Sequence, residues 1–112
     1  MSEEKTKSKN SLEVIPNNMV SLTSEAAEKM KTALRRYSAS GVRIHATQNK
    51  RGGVSFSLDV EEEARSDDLV LEDKGVKLFV DPSSTQHIQG IEIRYLKTER
   101  GSGFGIVNPA SG

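Results

Sequence analysis

The hydrophobic pattern along this chain changes period once, from helical to strand-like. In "VSLTSEAAEKMKTALRRY" (20–37), Ala26, Met30, Ala33, Leu34 and Tyr37 recur at helical spacing and define one apolar face. Thr23 suits the N-cap, with Leu22 placed to staple onto Ala27. Glu25 and Glu28 early, with Arg35 and Arg36 late, complement the helix dipole, and Glu25 with Lys29 makes an i,i+4 pair. Gly41 is the expected helix stop.

From there the period is two. "VRIHAT" alternates Val42, Ile44 and Ala46 against Arg43, His45 and Thr47, and "VSFSLDV" alternates Val54, Phe56, Leu58 and Val60 against Ser55, Ser57 and Asp59. "LVLEDKGVKLFV" reads as a hairpin turning at Asp73-Lys74-Gly75, where glycine supplies the positive φ. In "DPSSTQHIQG", Asp81 is a cap and Pro82 the first residue of a short helix stopped by Gly90. "IEIRYL" is a further strand, "KTERGSG" a flexible loop and "FGIVNP" a last short strand. The fold class is α+β, mostly antiparallel strands with one N-terminal helix and one short helix. Residues 1–18 are polar and read as a disordered arm, 19–109 as the folded domain and 110–112 as a short tail.

Composition removes several function classes. Sixteen basic and sixteen acidic residues cancel, so no global field favours nucleic acid or an anionic membrane. Cysteine is absent, which excludes disulfides, thiolate metal sites and thiol nucleophiles in these 112 residues. No apolar run approaches the ~20 residues of a membrane span, and "MSEEKTKSKN" lacks the apolar core of a secretory signal. The expected compartment is the cytoplasm.

Candidate chemistry is sparse. His45 falls on the polar side of its strand and His87 late in the short helix, neither within a spaced ligand motif, so surface histidines are expected. Glu61, Glu62, Glu63, Asp67 and Asp68 form an acidic loop that does not follow a calcium-loop pattern; it is a solvated loop or a docking surface. Serines are plentiful, but none lies in a nucleophile elbow or has a histidine placed beside it. Lys50, Arg51, Gly52 and Gly53 form a basic, glycine-closed loop, either a plain hairpin turn or an anion-binding nest of backbone N–H groups. No nucleophile–base pair supports an enzyme.

Taken in order, residues 20–109 resemble the A-type iron–sulfur carrier family, the HesB/IscA-like proteins. "VSLTSEAAEKMKTAL" is similar to the family's opening strand and helix, and "VRIHATQNKRGGVSFSLDV" to its central strands and loop. "DDLVLEDKGVKLFVDPSS", "IQGIEIRYL" and "GFGIVNP" resemble the remaining segments. The resemblance implies a family whose iron or cluster is held by three cysteines, one in the central loop and a Cys-Gly-Cys near the C-terminus. Here Arg51 stands at the loop position, and no counterpart of the tail pair follows "NPASG". Thiolates hold iron in such clusters, and a guanidinium cannot replace one. No catalytic, cofactor or metal residue therefore carries over. Two expectations follow. The first is a non-catalytic accessory, interaction or regulatory protein of iron–sulfur assembly or sulfur metabolism, without cofactor. It would contact a protein partner through Lys50–Gly53 or the acidic loop, as a monomer or homodimer. The alternative is a carrier using His45, His87 or Asp59, or sharing ligands with a partner protein.

Overall fold

The computed structural model describes residues 19–107. The arm at 1–18, the Asn108-Pro109 pair and the tail at 110–112 lie outside the described residues. The chain runs β1 (Val20–Leu22), α1 (Ser24–Tyr37), β2 (Gly41–Gln48), β3 (Val54–Glu61), β4 (Leu69–Asp73), β5 (Val76–Val80), a 3-10 helix (Pro82–His87), β6 (Ile91–Thr98) and β7 (Gly101–Val107). Two sheets result, one of order β1-β6-β7 and one of order β3-β2-β5-β4. All neighbours are antiparallel except β1 with β6 and β2 with β5. The α+β class is as the sequence predicts.

The apolar faces meet in one core. Leu22, Ala26, Ala27 and Met30 pack there with Ile44 and Val80 of one sheet and Ile91 and Ile93 of the other. The Thr23 side chain caps α1, accepting from the Ala26 N–H at 3.2 Å. Two details of the helix differ from the sequence reading. Glu25 pairs with Lys97 at 3.7 Å, and the Lys29 ammonium lies 5.1 Å from the Tyr95 ring centroid, because tertiary partners outcompete a weak intrahelical pair. Tyr37, the last position of the apolar stripe, is 60% exposed.

The helix also ends earlier than Gly41 suggests. Ser38 takes the left-handed conformation (φ 52°), and the Ser38 and Ala39 N–H groups close onto the Arg35 and Leu34 carbonyls. Gly41 instead begins β2 and faces Phe79, which is 2% exposed. A Cβ at Gly41 would stand 2.5 Å from the Phe79 ring and 2.9 Å from the Lys77 carbonyl oxygen.

Two of the three hairpins differ in how well their turns were foreseen. Lys74 (φ 48°) and Gly75 (φ 82°) both occupy positive φ, giving the two-residue turn suited to the twist of β4 and β5. The expected flexible loop at "KTERGSG" is instead ordered pairing. β6 extends to Thr98, Glu99 and Arg100 turn, and Thr98 pairs with Gly101. Gly101, Gly103 and Gly105 suggested mobility, but a glycine-rich strand is held when its partner supplies the side chains. Leu96 lies over this one, 2.6 Å from where a Gly105 Cβ would be.

Gly41→Ala should lower unfolding stability by roughly 1–3 kcal/mol, since neither the backbone carbonyl nor the enclosed ring can yield freely. Urea denaturation of the two proteins measures this directly.

Candidate functional site

Three groups of polar residues surround the four-stranded sheet. The first is the loop between β2 and β3. The Asn49 side-chain oxygen accepts from the Arg51 and Gly53 N–H groups, each at 2.9 Å. The Gly52 N–H donates to the Asn49 carbonyl at 3.1 Å, and the Asn49 N–H to the Gly53 carbonyl at 2.8 Å. Gly52 sits at φ 87°, which a side chain would strain. The anion-nest alternative fails here, because the loop consumes these N–H groups internally. Lys50 and Arg51 are left exposed at the tip.

The second group is an ion cluster that sequence alternation misplaced. Arg43 was assigned to the polar side of β2, yet it is only 6% exposed. Its guanidinium forks onto Asp68, Nη1 to Oδ1 at 2.9 Å and Nη2 to Oδ2 at 2.6 Å. Its Nε lies 3.2 Å from a Glu61 carboxylate oxygen, outside hydrogen-bonding angle. The Arg65 N–H also donates to Asp68 at 2.6 Å. The segment after β3 therefore folds back over the outer side of the sheet. Asp68, whose side chain is wholly buried, and Glu61 serve Arg43, while Glu62, Glu63 and Asp67 are exposed. Hydrogen bonding to Arg43 holds the Asp68 carboxyl below the ordinary carboxylate range despite its burial, and the bond to Asp68 raises Arg43 in turn.

The third group joins β2 to the 3-10 helix. Asp81 was expected to cap that helix, but its carboxylate makes no cap bond to the backbone. It takes the Ser83 hydroxyl at 2.7 Å and the Ser84 hydroxyl at 2.8 Å, and lies 3.1 Å from His45 Nδ1. Ser84 is fully buried, and its Oγ accepts from the Ala46 N–H at 2.8 Å. Sequence spacing did not place a histidine beside a serine, because β2 and the 3-10 helix meet only through the fold. The set has the residue types of a hydrolytic triad without its geometry. Serine and aspartate crowd the same His45 nitrogen, with Ser84 Oγ at 3.4 Å, and the hydroxyl is inaccessible. Burial opposes ionisation of Asp81, but the hydrogen bonds from Ser83, His45 and Ser84 outweigh it, and its carboxyl lies far below the usual range. His87, in the last turn of the 3-10 helix, has no part in this cluster, and Asp59 is exposed on β3. Among the described residues no three histidines, aspartates or glutamates converge as a metal site.

The sequence pattern of the iron–sulphur cluster biosynthesis family matches residues 19–111, and the chain belongs to that family. It is 31% identical over 91 residues to the iron-binding protein IscA of Yersinia enterocolitica, and equally to that of Yersinia pestis, covering 80% of this chain and 85% of each relative. Among solved structures, Escherichia coli SufA superposes with a TM-score of 0.71 at 29% identity over 81% of each chain. An IscA crystal structure with a 2Fe–2S cluster gives 0.67 at 23% identity, covering 81% of this chain and 86% of that one, a likeness of fold alone. This member has no cysteine in its 112 residues, and the loop position its resemblance assigns to a thiolate holds Arg51. Among the described residues no helix is long and apolar enough to cross a membrane.

Both depressed carboxylates stabilise the fold above the unfolded Asp value of about 3.9, and that stability is lost as pH falls through their folded values. Acid titration by circular dichroism should show stability declining below about pH 4, with a shallower decline in Asp81→Asn.

Proposed function

We propose that this chain is a non-catalytic accessory or interaction protein of iron–sulfur cluster assembly or sulfur metabolism, working in the cytoplasm without a cluster of its own. The observation that carries the reading is the loop at 49–53. Its hydrogen bonds close on Asn49, and its tip presents a guanidinium where the resemblance expects a thiolate. A cationic side chain cannot ligate iron, so the iron or cluster that relatives handle does not fit this loop. His45 alone offers no substitute, since among the described residues no group of three histidines, aspartates or glutamates converges to hold a metal.

What this geometry supplies is a rigid surface. Lys50 and Arg51 stand at one end of β3, and Glu62, Glu63 and Asp67 are exposed beyond the other. Such charges select a protein partner more than they strengthen its binding. Neutral overall charge gives no support to nucleic-acid binding. The misaligned and buried Ser84 supports a role without catalysis.

The reading is tested by mixing the purified chain with cluster-loaded IscA of Yersinia and following sedimentation and visible absorbance together. The two should co-sediment, Lys50→Glu should weaken that association about tenfold, and once the two chains are separated again the iron should all be found on IscA. Transfer of iron onto this chain would overturn the reading in favour of a carrier.

A further inference from the structure

α1 leaves the inner face of β3 partly uncovered. Val54, Phe56, Leu58 and Val60 are all only half-buried, whereas Val42, Ile44 and Ala46 of the neighbouring β2 are buried. A cleft of about 390 Å³ lies between β3 and β7, the edge strands of the two sheets, and is lined by Phe56, Leu58, Phe104 and Ile106. Toward Val60 it adjoins a recess of about 90 Å³ that Met30 and Ala33 of α1 also line. Phe104, shared by both, is 40% exposed. Beyond that end of β3, Glu62 and Glu63 are exposed, and neither has an ion-pair partner among the described residues.

We propose that residues 12–15 of this chain close the cleft, lying antiparallel along β3 with Leu12 level with Leu58 and Val14 level with Phe56. Composition selects this segment. Apart from Met1, the apolar residues before Pro16 are Leu12, Val14 and Ile15. Residues two apart in an extended chain point to one side, so Leu12 and Val14 enter the cleft together and Glu13 stays in solvent beside Ser57. Reach allows it. The Met19 carbonyl accepts from the Gly90 and Ile91 N–H groups, and Val20 is level with Ile91, one step past the Glu92–Val107 pair. The chain therefore leaves β1 at the Ile106 end of the cleft. Three strand spacings of about 4.8 Å put the cleft about 14 Å from β1. At about 3.3 Å per residue, Val14 reaches about 17 Å from Met19 and Leu12 about 23 Å. Charge fixes the direction. Entry from the Ile106 end carries Lys9 and Lys7 up to Glu62 and Glu63, whereas the reverse direction sets Lys5, Lys7 and Lys9 beside Lys50 and Arg51. The inference goes beyond the functional reading above and does not rest on it, since cleft and occupant belong to one chain.

Hydrogen exchange of the full chain, followed by mass spectrometry at several protein concentrations, tests this. Amides of residues 12–15 should exchange at least about tenfold more slowly than those of residues 3–6. Leu12→Asp should abolish that protection. Independently, Glu62→Lys with Glu63→Lys, both at exposed positions, should reduce it about threefold. The absence of cysteine permits a second readout, because introduced thiols have no competitor. Under mild oxidation Glu13→Cys should form an intramolecular disulfide with Ser57→Cys at least about tenfold faster than with Val70→Cys on β4, the opposite edge of the same sheet. Equal exchange along residues 3–15 would overturn the proposal, as would protection indifferent to Leu12→Asp or equal cross-linking at Ser57 and Val70. Protection that grows with protein concentration would also overturn it, by assigning the contact to a second copy. No other protein is present, so these outcomes are separate from the IscA mixing experiment.

Discussion

The buried fork between Arg43 and Asp68 constrains the whole four-stranded sheet. β2 is an inner strand, so a guanidinium buried on its outer side needs a counter-charge: both Nη atoms bond Asp68, and Nε lies beside Glu61 without a hydrogen bond. Asp68 supplies that pairing only if the segment after β3 folds back across the sheet. The fold-back gives the sheet a second buried side. Phe79 lies there, level with Arg43 in register, and Gly41 has to be a glycine beneath it. A buried pair of this kind adds little net stability compared with apolar packing, but it leaves one geometry in which the charge is satisfied.

That geometry separates the two loops flanking β3. The acidic one is divided by burial, with Glu61 and Asp68 turned to structural use and Glu62, Glu63 and Asp67 left to solvent. The basic one is held from within by Asn49, so its shape is independent of what occupies position 51. A loop that needs no ligand to keep its form can lose a metal-binding residue and persist as a surface. This is the physical basis for reading a cysteine-free member of an iron–sulfur cluster biosynthesis family as an interaction protein.

Much of the fold was legible from periodicity. α1, the alternating strands and the Lys74-Gly75 turn follow from patterns local to their own segments. What was missed depends on partners distant in sequence. Arg43 looks solvated until Asp68, twenty-five positions away, is brought over it. His45 looks isolated until Ser84 and Asp81 arrive from the 3-10 helix. The glycines of β7 look mobile until β6 pairs with them. Of the candidate site, the residue types and the Arg51 departure were visible in the sequence. The hydrogen bonds that close the loop were not, because they depend on how Asn49 folds back onto it.

The central claim is that this chain keeps the fold of its relatives without carrying their cargo. The most direct measurement is anaerobic reconstitution with ferrous iron and sulfide, beside Yersinia IscA, after thiol reagent has been removed. The account predicts that this chain stays colourless and iron-free while IscA takes up iron. Stoichiometric iron with charge-transfer absorbance, abolished by His45→Ala, would contradict it.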